Sequence, residues 1–152
     1  MIIVSACLCG INCKYNGGNN LNKDVLELLK SGKAIPVCPE QLGGQSTPRG
    51  AHEIINGTGF HVLNGKAEVM GPEGDHVTSE FIRGAEETLR IAKNCGATEA
   101  ILKARSPSCG LSVIYDGTFT GNKREGNGVT AELLLENGIK IYTEENIPEK
   151  YK

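Results

Sequence analysis

The sequence contains no tryptophan, and its seven aromatic residues (four Tyr and three Phe) are few for 152 positions. A core built from it is therefore mainly aliphatic. No apolar run approaches the ~20 residues that a membrane-spanning helix requires, so no membrane partner is expected. No basic tract is present either. Sixteen Lys and Arg stand against 18 Asp and Glu, for a net charge of -2 and a pI near 5.9. A nucleic-acid polymer is thus not expected as a ligand. The opening MIIVSACLCG lacks a positive n-region, so it reads as a first buried strand rather than a signal peptide. The expectation is a cytoplasmic protein with reduced thiols. There is no internal repeat and no linker, and residues 1–152 read as one domain.

What the chain does have is glycine, 20 in all, and six cysteines: Cys7, Cys9, Cys13, Cys38, Cys95 and Cys109. Apolar runs at Ile2–Ser5, Ala34–Cys38, Glu99–Lys103 and Ile139–Tyr142 read as strands. Between them lie helical patterns. Asn22 is the expected N-cap of a helix carrying Val25, Leu26, Leu28 and Leu29, which stops at Gly32. Asp75 is expected to cap a long helix through Asn94, with Val77, Phe81, Ala85, Leu89 and Ala92 on one stripe and Cys95-Gly96 at its end. A short helix is expected at Val129–Glu136, ended by Gly138. Asn64-Gly65 between FHVL and KAEVM gives a hairpin signal. A second small hairpin is expected from Leu111–Tyr115 and Gly117–Thr120. Residues from Thr143 read as a polar surface tail. Pro36 places the second strand at an edge or where its missing N–H is not needed. The fold class is α/β: a compact, mostly parallel sheet of about four strands flanked by helices, with accessory β-hairpins.

The organising stretch is Ala34–Arg49, AIPVCPEQLGGQSTPR. An apolar strand ends in Cys38, and Glu40, two glycines and Arg49 follow within about a dozen residues. Ligands of parallel α/β sheets bind beyond the carboxyl ends of the strands. Cys7, Cys38 and Cys109 each follow a strand, which places three thiols on one rim. Buried free cysteine is common in cores, but three strand-end thiols in a reduced compartment point to a metal or iron–sulfur site with one open position. Cys95 ends a helix and reads as structural. Glu40 is either a solvated loop carboxylate or a general base toward water. Ser106 and Ser108 are either turn residues or hydroxyls that position water or substrate. Arg49 either binds a carbonyl or anion or makes a surface pair. His52, His61 and His76 read as structural.

Four segments, SACLCGINCKYNG, VCPEQLGG…TPR, KARSPSCG and YDGTFTG…GNGVTAELLLENGI, together resemble the thiouracil desulfidase (TudS) family over nearly the whole chain. The resemblance implies a compact α/β fold with a [4Fe-4S] cluster bound by three cysteines. By motif position these are Cys7 of SAC, Cys38 of CPE and Cys109 of SPSCG, leaving one iron free for the substrate sulfur. It implies Glu40 as the catalytic acidic residue and Ser106 as the catalytic serine. The implied activity is hydrolytic release of hydrosulfide from thiouracil, a small-molecule thiolated base, with no net redox change. Two departures from the family pattern, at Lys14-Tyr15-Asn16-Gly17 and Gln45-Ser46-Thr47, bear on substrate identity rather than cluster binding. Two other readings of the same thiols are a zinc hydrolase with a three-cysteine site and a non-catalytic iron–sulfur module.

Overall fold

In the computed structural model, which describes residues 1–152, the first apolar run forms β1 (Ile2–Ser5), buried at all four positions. Such a strand must be covered on both faces. A 3-10 turn at Ala6–Cys9 leads to helix α1 (Lys23–Lys30), whose first N–H groups, of Asp24 and Val25, are taken by the side-chain oxygen of Asn22. The chain returns through β2 (Ala34–Val37), parallel to β1 with Ile2 beside Ala34 and Ser5 beside Val37. Later come β5 (Glu99–Leu102) and β8 (Lys140–Thr143), which complete a four-stranded parallel sheet in the order β2-β1-β5-β8. Pro36 lies on the edge strand β2, where a missing N–H is tolerated.

Alternation along β1 splits the core. Ile2 and Val4 pack with Val25 and Leu28 of α1 on one face. Ile3 faces the other way, toward Ala92 of α4 (Thr78–Asn94) and Ala131 and Leu134 of α5 (Val129–Glu136). A third cluster, with Ile54, Val69, Phe81 and Ile114, joins α4 to two small antiparallel pairs. These are β3 (Glu53–Ile55) with β4 (Glu68–Met70), and β6 (Val113–Tyr115) with β7 (Lys123–Glu125). No helix is long and apolar enough to cross a membrane.

Two glycine contacts set the layout of the site. The one-turn helix α2 (Pro39–Leu42) lies directly on the backbone of α4. A Cβ on Gly84 would fall 1.9 Å from the Pro39 carbonyl oxygen, and one on Gly43 2.0 Å from that of Glu80. Only glycines permit this approach. At the start of α5, the N–H groups of Val129 and Thr130 find no partner inside the helix. They donate instead to the carbonyls of Pro107 and Ser108, at 2.8 Å each, and Ala131 also reaches Ser108 at 3.0 Å. Helix α5 thereby clamps the Ser106–Cys109 loop.

Several local expectations are corrected. FHVL is not a hairpin strand. It lies in α3 (Gly59–Leu63), and Asn64-Gly65 is the end of that helix, with Gly65 at φ +74°. The strand in KAEVM does form, as β4 (Glu68–Met70), but its antiparallel partner is β3 (Glu53–Ile55), and α3 lies between the two. Asp75 does not cap α4, which starts at Thr78 with Val77 at its N-cap; the Asp75 carboxylate instead meets His52 Nε2 at 2.9 Å. The partner of β6 is Lys123–Glu125, not Gly117–Thr120. The C-terminal segment is docked: Ile147 is buried, and Lys150 and Tyr151 donate to the Glu99 carboxylate.

Candidate functional site

The carboxyl ends of β1, β2 and β5 open onto one cavity of about 570 Å³. Cys7, Cys38 and Cys109 all line it, with Glu40, Arg49, Ser106 and Ser108. Every residue assigned to the site on sequence grounds is therefore on this cavity. Cys9 is packed with the α1 core and Cys95 sits half-buried at the end of α4, its thiol donating to the Ala92 carbonyl at 3.5 Å. Neither reaches the cavity. Cys13 does, and is itself buried.

Each thiol arrives by a different route. The 3-10 turn that follows β1 carries Cys7, whose carbonyl accepts the Asn20 N–H at 2.9 Å and ties the 10–20 loop down. Cys38 is the N-cap of α2, and Cys109 ends the loop clamped by α5. Their electrostatic settings differ. Burial pushes the Cys109 thiol up to about 12, against hydrogen bonds from Ser5 and Ser108. Burial also raises Cys7, opposed by Asn20. Cys38 is lowered, first by a hydrogen bond with the Cys13 thiol, then by the Gln41 backbone N–H and the Arg49 guanidinium, against the cost of burial. Cys13 rises correspondingly. The Cys38 sulfur lies 3.8 Å from the Cys13 carbonyl oxygen and 4.0 Å from Arg49 Nη2.

Arg49 is not a surface pair. Its side chain is 6% exposed and Glu40's is 14%. Nε donates to Glu40 Oε2 at 2.7 Å, Nη2 to the Cys13 carbonyl at 2.8 Å and Nη1 to Thr47 Oγ1 at 2.9 Å. One guanidinium thus fixes the Glu40 carboxylate and the Cys13 loop together, which its planar fork suits. The other Glu40 oxygen, Oε1, faces Ser108 Oγ at 3.4 Å. Ser108 Oγ lies 3.3 Å from Ser106 Oγ and 3.6 Å from the Cys109 sulfur. Ser106 Oγ accepts the Cys109 N–H at 2.7 Å. The two serines therefore form a hydroxyl chain ending on the carboxylate.

The histidines have other partners. His52, buried, meets Asp75, packs against the Phe81 ring in a T-shaped arrangement and lines the cavity. His61 Nδ1 accepts the Thr58 N–H at 3.0 Å, and His76 pairs with Glu68 on the surface. Sequence reasoning missed Ser5, whose buried hydroxyl oxygen accepts the Lys103 N–H at 2.9 Å, and Asn20. Both depend on contacts between distant segments and leave no local signal. It also missed the cavity-lining role of Tyr15, Tyr115 and Phe119.

Fold and site together define an α/β protein with a thiol-rich cavity at the carboxyl rim of its sheet and a buried carboxylate–arginine pair beside the thiols. A 2-thiouracil desulfurase family model matches residues 2–146, and the chain belongs to that family. The uncharacterized protein YbbK of Bacillus subtilis (strain 168) is 48% identical over 147 residues, spanning 97% of both chains. Among solved structures, a [4Fe-4S]-dependent thiouracil desulfidase, TudS, is similar with a TM-score of 0.85 and 38% identity. That match covers 97% of this chain and 93% of the other.

Proposed function

We propose that this protein is a cluster-dependent desulfidase. It would take thiouracil or a related thiolated base and water to the oxo base and hydrosulfide, with no net redox change. The observation that carries the reading is the meeting of Cys7, Cys38, Cys109 and Glu40 on one cavity. Family membership and the TudS likeness support it.

Cys7, Cys38 and Cys109 would hold a [4Fe-4S] cluster. Thiolates are soft donors suited to such a centre. No three His, Cys, Asp or Glu side chains converge closely enough to bind a single metal ion. Thiols spread around a cavity fit a larger inorganic group better than the three-cysteine zinc site. When bound, the cluster supplies an iron with an open position, a soft Lewis acid toward a thiocarbonyl sulfur.

The chain's own residues handle water and protons. Arg49 occupies Glu40 Oε2, which leaves Oε1 to take a proton from water as its oxygen bonds to the thiocarbonyl carbon. Ser106 and Ser108 orient that water through their hydroxyl chain to Oε1. The carbon–sulfur bond then breaks as the Glu40 carboxyl returns its proton to the sulfur, which leaves as hydrosulfide, and the added hydroxyl loses its proton to solvent as the oxo base forms. Adjacent carboxylate and hydroxyls favour this enzyme reading over a non-catalytic iron–sulfur module.

The test is sulfide release from 2-thiouracil by anaerobically reconstituted protein, without added oxidant or reductant. Uracil and sulfide should appear in equal amounts, and cluster-free protein should yield neither. A brown protein that releases no sulfide would support the non-catalytic module, and a colourless zinc-loaded protein that does would support the zinc hydrolase.

A further inference from the structure

The cavity has an aromatic wall as well as a thiol wall. Three of the seven aromatic residues, Tyr15, Tyr115 and Phe119, line it. Tyr15 is 43% exposed and Phe119 37%, so these rings do not serve as core packing. Lys14 and Lys123 lie over the Tyr15 and Tyr115 rings, 5.8 and 5.9 Å from their centroids, whereas Phe119 has no such partner.

Phe119 is held there under strain. Its φ is +58°, in the left-handed region that bulky residues adopt rarely. The loop between β6 and β7 is built to keep it so. Glu53 Oε1 accepts the N–H of Gly117 at 2.9 Å and that of Phe119 at 3.3 Å. Gly117 lies flat on β3, where a Cβ would meet the Ile54 carbonyl oxygen at 2.4 Å. Asp116 Oδ1 accepts the Thr118 N–H at 3.0 Å. Glycine would adopt the same backbone at position 119 without strain. The backbone thus gives no reason for phenylalanine here, and the side chain must.

We propose that Phe119 is a specificity-determining residue whose ring packs against the face of a planar heteroaromatic thiocarbonyl substrate, so that flat thiolated bases are selected over non-aromatic thioamides. The inference rests on the desulfidase reading above and deepens it. Stacking on an aromatic side chain recognises any flat ring and demands no particular hydrogen-bond pattern. The ring takes no part in proton transfer, which Glu40 and the serines cover.

The experiment compares wild type with Phe119→Gly and Phe119→Tyr. It measures KM and kcat for 2-thiouracil and for thioacetamide, calorimetric affinity for 2-thiouracil, Tm, and visible absorption of the reconstituted cluster. Phe119→Gly should raise KM for 2-thiouracil about tenfold or more, with a much smaller change in kcat and none in absorption. Its Tm should stay close to wild type, because relief of strain offsets the added freedom of the unfolded chain. Discrimination against thioacetamide should fall, and Phe119→Tyr should restore the wild-type KM. A wild-type KM in Phe119→Gly overturns the proposal, as does a Tm loss without a KM change. Should wild type release no sulfide yet bind 2-thiouracil tightly only with Phe119 present, the desulfidase reading fails and the stacking role stands. No binding by wild type overturns both.

Discussion

The Arg49 guanidinium grips the Glu40 carboxylate from inside the protein, with Nε donating to Oε2 at 2.7 Å and Nη2 reaching the Cys13 carbonyl at 2.8 Å. Breaking a buried pair by truncating one partner leaves an uncompensated charge. Arg49→Ala should therefore cost about 3–5 kcal/mol of stability, read as a shift in the chemical-denaturation midpoint. Arg49→Lys keeps the charge but cannot reproduce the fork, and should recover only part of it. Glu40→Gln keeps shape and removes the proposed base. Its kcat for sulfide release should fall roughly a hundred- to ten-thousand-fold with cluster absorption intact. Full turnover in Glu40→Gln would remove Glu40 as the base.

Ser106 and Ser108 separate on two readouts. Ser106 Oγ accepts the Cys109 N–H, so Ser106→Ala should lower stability by about 1–3 kcal/mol as well as slow turnover. Ser108 Oγ faces Glu40 Oε1. Ser108→Ala should lower kcat about tenfold or more, as expected for loss of a hydrogen bond to a charged group, with a smaller stability loss. Thermal unfolding and steady-state kinetics of both variants distinguish the roles.

The α2–α4 contact predicts a remote effect on the site. In Gly84→Ala the new methyl would sit 1.9 Å from the Pro39 carbonyl oxygen, and backbone cannot yield cheaply. Overpacking of this kind costs about 1–3 kcal/mol. Because α2 carries Cys38 at its N-cap and Glu40 in its first turn, the variant should also retain less iron after reconstitution. Gly138→Ala changes a position with open space around it, so any loss there reflects only its φ of +80° and should leave iron content unchanged.

Acid stability has an identifiable contributor far from the site. Hydrogen bonds from Lys150 and then Tyr151 hold the Glu99 carboxyl down to about 2, from an ordinary value of 4.5. A folded-state value below the unfolded one stabilises the protein fully above pH 4.5. That contribution is lost as pH falls through about 2. Glu99→Gln should lower Tm at neutral pH and flatten the dependence of Tm on pH between these values. An unchanged profile would show that the C-terminal segment is not anchored through Glu99.

Much of this architecture was legible in the sequence because burial writes itself into apolar runs. The strands ending near Cys7 and Cys38 were readable for that reason, and the carboxyl-rim rule brought Cys109 to them. Asn64-Gly65 misled because the same pair suits a hairpin turn and a helix end, and only contacts decide between them. Strand β7, Lys123–Glu125, is exposed at all three positions and carries no apolar alternation to betray it. Asp75 was drawn from the α4 terminus by His52, 23 residues away in sequence. Arg49 and Glu40 lie nine residues apart in one stretch, and only the burial of their pair was hidden, whereas Ser5 beneath Cys109 and the Glu53 anchor of the Phe119 loop arise from packing between distant segments. Single-sequence patterns carry no trace of such contacts.

The central claim is that three distant thiols share one inorganic centre, and iron content after anaerobic reconstitution of single Cys→Ser variants tests it most directly. Wild type should hold about four irons per chain, with Cys9→Ser and Cys95→Ser matching it and Cys7→Ser, Cys38→Ser and Cys109→Ser each losing the cluster and its visible absorption. Full iron content in any of those last three variants, or loss in Cys9→Ser or Cys95→Ser instead, would contradict it.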